Sequence, residues 1–197
     1  FGAVAGLVAI AYNRSILGAM DLFERVTVLP ATLKAMLVGA GIGAIAFVAP
    51  SMVGGGDPLT EAALAGEGTL ELLALYFAVR FVLGAVSYAA GTPGGLFAPI
   101  LVLGAEMGLG FGLVASRLLP ALGLDPRGFA LVGMSAFFAG VVRAPLTGLV
   151  LAVEMTANTA LLVPMLAATF AAMLVPTLAG NKPIYDTLRE RAARKSA

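Results

Sequence analysis

Neither cysteine nor histidine occurs among the 197 residues, and only 12% of them carry a charged side chain. Without Cys there is no disulfide and no thiolate nucleophile, and with His missing too the two commonest transition-metal ligands are gone. The chain therefore lacks the usual equipment of a metal or redox enzyme. Twelve basic residues against eleven acidic ones leave a net charge of +1, so there is no bulk electrostatic pull toward nucleic acid. What is present is apolar: 60% of the residues are hydrophobic and the mean hydropathy is +1.00. A soluble domain holds about 45–50% apolar and about 25% charged residues. This composition describes a multi-pass integral membrane protein.

Charge-free stretches run from Ala35 to Gly56, from Phe81 to Ala105 and from Met155 to Asn181. Each exceeds the ~20 residues a helix needs to cross hydrocarbon, so three spanning helices are expected there. Shorter apolar runs at Phe1–Asn13, Leu72–Val79, Met107–Ser116, Gly128–Val142 and Ala144–Val153 predict further helices, some too short to cross unless tilted or re-entrant. The first residue is Phe1 and no basic stretch precedes the apolar run, which reads as a chain cut inside a helix rather than a signal peptide.

Helix-breaking residues divide the chain further. Helices are expected from the start to about Val26, over Leu29–Ala49, Pro58–Gly66, Thr69–Ala90, Phe97–Leu118, Arg127–Gly140, Pro145–Met155, Leu161–Ala179 and Tyr185–Ala193. Two of the breaks are rich in glycine, one at Gly54-Gly55-Gly56 before Pro58 and one at Gly91-Thr92-Pro93-Gly94-Gly95. Irregular backbone at membrane depth survives only inside protein or beside a polar cavity, so these breaks point to a transport site. Five bases, Lys182, Arg189, Arg191, Arg194 and Lys195, lie in the terminal segment against two acids, which predicts a cytoplasmic C-terminus. Arg25 and Lys34 are expected on that same side, and Asp57–Glu71 on the other.

Gly94-Gly95-Leu96-Phe97-Ala98-Pro99 opens a helix. The first amides of a helix lack intrahelical partners and carry partial positive charge, so an anion fits there. Pro99 gives up an N–H that would be unpaired anyway. Neutral amides also bind an ion weakly enough to release it. By itself the pattern fits an ordinary turn between membrane helices equally well, and Tyr185 alone reads as an interfacial anchor. Glu106 stands within an apolar helix, where an acid is a functional candidate by default; a capped or cavity-facing acid near a helix end is expected. Arg143 and Glu154 are expected in polar contacts near helix ends. Gly39-Ala40-Gly41-Ile42-Gly43-Ala44, with Asp57 downstream, formally fits a dinucleotide fingerprint. No strand precedes it, and Gly39 with Gly43 instead predicts a close-packing helix face.

Ser87 to Pro99 closely resembles the G-x-F-x-P region of the CLC family of chloride channels and chloride/proton antiporters. Arg143-Ala144-Pro145-Leu146-Thr147-Gly148 with Glu154-Met155-Thr156 resembles its helix near the dimer interface, and Lys182-Pro183-Ile184-Tyr185 the start of its last helix. The resemblance implies an all-α membrane fold, one half of an inverted-repeat transporter with tilted, broken and re-entrant helices. Residues 1–197 would be the C-terminal half of such a transmembrane domain, with 182–197 its final helix and short cytoplasmic tail. It also implies chloride, or a related anion, as substrate, with no cofactor and no catalytic residue. The amides of Leu96 and Phe97 and the hydroxyl of Tyr185 would hold the anion, and the amide of Ala98 would serve an outer site. Gly94, Gly95 and Pro99 would support that loop. The family's serine loop and gating-glutamate loop do not occur in this sequence, so an N-terminal half is the expected partner, in a homodimer of the cell membrane. Another secondary transporter or a non-transporting scaffold are the alternatives.

Overall fold

The computed structural model describes residues 1–91 and 95–196, with side chains as far as Arg194. Among the described residues there are no strands, and nine α-helices follow one another: α1 Gly2–Arg25, α2 Ala31–Val48, α3 Asp57–Ala65, α4 Leu70–Ala89, α5 Phe97–Leu118, α6 Pro126–Val142, α7 Pro145–Thr156, α8 Leu162–Leu178 and α9 Ile184–Ser196. Their starts carry the expected chemistry. Proline stands in the first turn of α3, α6 and α7, where a missing N–H costs nothing. Thr69 caps α4 by accepting from Leu72 N, and Asp125 caps α6 by accepting from Arg127 N.

The core is built around α6. Every residue from Ala130 to Val141 is buried, as expected of a helix that is apolar all round. α5 and α8 pack against it, and α1 lies across α4, α6 and α8. The buried face of α1, Ala5, Ala9, Tyr12, Asn13 and Ile16, recurs every three to four residues. The α5–α6 contact is backbone to backbone. A Cβ on Gly108 would collide with the carbonyl oxygen of Phe129, and one on Gly133 with that of Gly104.

Outside this core the surface is oily. α2 buries none of its residues, and Phe47 and Val48 are 92% and 84% exposed. Val163, Leu174 and Leu178 on α8 are exposed too. Lipid tails are the medium in which such faces need no partner. The close-packing face expected at Gly39 and Gly43 is not used within this chain: nothing approaches either glycine within 4 Å. That role falls to Gly104, Gly108 and Gly133.

Among the described residues four helices are long and apolar enough to cross a membrane, α1, α2, α4 and α5. The expected span at Ala35–Gly56 holds most of α2, but the other two charge-free stretches do not coincide with single helices. The Phe81–Ala105 stretch straddles the break between α4 and α5, and Met155–Asn181 straddles the turn between α7 and α8. Those two windows fail because the breaks inside them carry no charge: Arg80 and Glu106 sit within helices on either side of one, and residues 157–161, between α7 and α8, are uncharged. The 12-residue α7 is about 18 Å long, well short of the ~30 Å hydrocarbon core.

Candidate functional site

α5 begins where the second glycine-rich break ends. Leu96 is its N-cap, with φ −80° and ψ −12°, and the first helical hydrogen bond runs from Ile100 N to Leu96 O. The amides of Leu96, Phe97 and Ala98 thus precede the helix's own hydrogen-bond ladder. Leu96 anchors this end by burying its side chain in the main core with Ile100 and Phe138. The Phe97 ring stands edge-on to Phe138, with centroids 5.5 Å apart.

A cavity of about 240 Å³ opens beside this helix start. Gly95, Leu96 and Pro99 line one side, Met52, Val53 and Gly54 another, and Arg80, Ser87 and Tyr88 of α4 a third. Gly54 of the first glycine-rich break and Gly95, at the end of the second, therefore face one space. Gly55 stands opposite Ala98, whose Cβ lies 3.6 Å from where a Gly55 Cβ would be. Phe97, Ala98 and Tyr185 do not line the cavity, and Gly94 lies outside the described residues.

Arg80 shapes the first break. It is only 5% exposed, and its Nη1 donates to Met52 O at 3.0 Å and to Ser51 O at 3.4 Å, while Nη2 donates to Gly54 O at 3.0 Å. Nε has no partner. The guanidinium passes so close to Gly56 that a Cβ there would clash with it, and Gly56 has φ +92°. Only glycine satisfies both demands. Sequence reasoning missed Arg80, although a lone charge inside an otherwise apolar helix was the signal available.

Tyr185 is positioned from a second polar cluster. The buried Asn13 of α1 donates from Nδ2 to Asn181 Oδ1 at 3.0 Å, and more loosely to Val141 O and Lys182 O. Arg143, the left-handed C-cap of α6, donates from Nη2 to Asn181 O at 2.9 Å. These bonds fix the turn before α9, and Ile184 then enters the core fully buried. Tyr185 itself is 43% exposed. Burial, followed by the field of Tyr88, pushes its phenol up from the ordinary value, so it stands as a neutral donor beside a residue of the cavity wall. Its hydroxyl makes no hydrogen bond among the described residues. At its other end α9 is tied to α1 by Arg191, which pairs with Asp21 at 2.6 Å and Glu24 at 2.8 Å. The end of α1 and the terminal helix thus share one side of the molecule.

Arg143 meets the expectation of a structural contact near a helix end. Glu154 does not: it is exposed at the end of α7 with no hydrogen bond or ion pair among the described residues. Glu106 faces a cavity as expected but sits mid-helix rather than near an end.

The sequence model described as voltage gated chloride channel matches residues 1–177. Over 187 residues the chain is 40% identical to the H(+)/Cl(−) exchange transporter ClcA of Klebsiella pneumoniae subsp. pneumoniae, an alignment covering 93% of this chain and 40% of that protein. Among solved structures it superposes on a slow cyanobacterial Cl−/H+ antiporter with TM-score 0.93 and 32% identity, over 98% of this chain and 46% of that one. It also superposes on a eukaryotic CLC transporter with TM-score 0.78 and 26% identity, over 95% of this chain and 33% of the other. The chain spans less than half the length of each of these relatives. With residues 1–177 matched by the family's sequence model and its helices superposing on a solved antiporter, the chain belongs to the voltage gated chloride channel family.

Proposed function

We propose that this chain supplies one half of a pathway for chloride or a related small anion, working as a channel or as a chloride/proton exchanger. The observation that carries this reading is the convergence of both glycine-rich breaks and the N-terminus of α5 on one cavity. Amides ahead of a helix ladder offer an anion donors and partial positive charge without a full counter-charge to trap it. Leu96 and Phe97 provide the amides of the central site, Ala98 that of an outer one, and Tyr185 adds a hydroxyl through α9. Gly94, Gly95 and Pro99 shape the loop.

A carrier of organic anions is the rival. A carboxylate would call for an Arg or Lys, and Arg80 stands in the cavity wall. Three of its five N–H groups are used on backbone carbonyls, so Arg80 holds the loop, but the edge formed by Nε and the second N–H of Nη2 stays open to a carboxylate. Competition of an organic carboxylate with chloride for binding tests this rival.

In this reading the remaining shells of the pathway come from an N-terminal half, and the complete protein works as a homodimer in the cell membrane with this C-terminus in the cytoplasm. That the chain covers less than half of its relatives supports the first point. Chloride calorimetry on the protein in its complete form tests the site. Tyr185→Phe should weaken binding by about 0.5–1.5 kcal/mol, the value of one net hydrogen bond. Gly95→Pro should do more harm. Among the described residues nothing lies within 4 Å of a Cβ at Gly95, so that damage is conformational, through the fixed φ of proline. Affinity unchanged in both variants would place the anion elsewhere.

A further inference from the structure

Glu106 is the group the anion site leaves unexplained. It lies in the middle of α5, is 2% exposed, and neither carboxylate oxygen has a hydrogen-bond partner among the described residues. It lines a second cavity, of about 380 Å³, between α4 and α5, whose other walls are apolar: Leu70, Leu73, Phe77, Phe111 and Val114 among them. A carboxyl group so placed must take up a proton or find a cation, because an isolated charge there is strongly penalised.

The charged or titratable side chains on the elements packed against α5 are Asp57 and Glu61 on α3, Glu71, Tyr76, Arg80 and Tyr88 on α4, and Arg127, paired with Asp125, on α6; Arg117 lies on α5 itself. Of these, Arg80 is the one whose field acts on Glu106. Arg80 in turn lines the anion cavity and has its Nε without a partner. The guanidinium lies beside Gly56 and Val102, the latter one helical turn before Glu106 on α5, so one charge borders the anion cavity and acts on the unpartnered acid.

We propose that Glu106 is a proton-binding site, loaded through the cavity between α4 and α5, and that its protonation is linked through Arg80 to anion binding in the neighbouring cavity. This rests on the anion site proposed above. When Glu106 is ionised its negative charge offsets that of Arg80, and an anion in the cavity is held more weakly. When it binds a proton to become a neutral acid, the full charge of Arg80 faces the anion. By reciprocity, a bound anion favours protonation of Glu106. Anion and proton bind together, and affinity falls as pH rises through the titration of this acid.

The test is chloride calorimetry on the complete protein, repeated in two buffers of different ionisation heat, which counts the protons taken up with each chloride. Wild type should take up protons, and its affinity should change about fivefold or more across the titration. Glu106→Gln, nearly isosteric and neutral, should lose that part of the uptake and keep its low-pH affinity at all pH values. Glu106→Asp should retain uptake with a displaced midpoint. Infrared difference spectra of wild type supply a second reading should the glutamine variant not fold: adding chloride should raise a carboxylic-acid band that Glu106→Asp moves. Equal proton uptake in wild type and Glu106→Gln, or no chloride-induced carboxylic-acid band, overturns the linkage alone. Failure of wild type to bind chloride at any pH overturns the anion site, and the linkage with it.

Discussion

A guanidinium inside a membrane helix is tolerable only if its donors are matched, and Arg80 matches its terminal nitrogens with three carbonyl oxygens of one short loop. Arg80→Met would leave those carbonyls without their donor, at about 1–3 kcal/mol for each one that stays buried. The complete protein carrying Arg80→Met should therefore unfold in detergent at a clearly lower temperature than wild type. Arg80→Lys, with its single nitrogen, should fall in between. An unchanged unfolding temperature for the methionine variant would mean that the loop carbonyls are satisfied by something other than Arg80. None of this was legible in the sequence. The partners of Arg80 are backbone atoms, which carry no residue signature, whereas the glycines around them do: Gly54 and Gly56, at φ +71° and +92°, were read correctly as a break. Glu106 was legible as an anomaly, but its isolation from every hydrogen-bond donor appears only in three dimensions.

Helix order was legible nearly throughout, because Pro58, Pro126 and Pro145, the cap at Thr69 and the glycine breaks mark ends by local rules. Of the three expected spans, Ala35–Gly56 holds most of α2, whereas Phe81–Ala105 and Met155–Asn181 each run across an uncharged break that a charge-free window cannot see. A prediction belongs to one of the legible ends. Asp125 caps α6 and also accepts from Arg127 Nε and Nη2. Those side-chain bonds, then the bond from the Arg127 amide, hold its carboxyl below the usual carboxylate range. The folded state thus binds this proton less readily than the unfolded chain. Its stabilisation is complete above the unfolded carboxylate's value and disappears as pH falls through the folded one. The pair is exposed, so the effect is small and screened by salt. Asp125→Asn keeps an N-cap but loses the ion pair, so its deficit in unfolding temperature should shrink on acidification and in high salt. A deficit independent of both would assign the contribution to the cap alone.

At the scale of the whole molecule, an ion crossing hydrocarbon must meet donors along its entire route, since each uncompensated stretch costs several kcal/mol. The site proposed above is one such cluster: the start of α5 and the loop held by Arg80 line one cavity, and Tyr185 on α9 is proposed to reach it from outside that lining. The faces of α2 and α8 that point away from it are apolar and contribute no donors. The chain also spans 40% of the Klebsiella exchanger and 46% of the cyanobacterial antiporter, and neither a serine loop nor a gating-glutamate loop occurs in its sequence. Helix N-termini from the other half would meet α5 from the opposite side of the membrane, as inverted repeats do. Liposomes containing only these 197 residues should therefore release no chloride above background. Co-expression with the upstream half should restore efflux, and Gly95→Pro should abolish it again. A different outcome has a definite meaning: efflux from the 197 residues alone that disappears in Gly95→Pro would show that two copies supply each other's missing donors. The pathway would then be a product of self-assembly, not of two unlike halves.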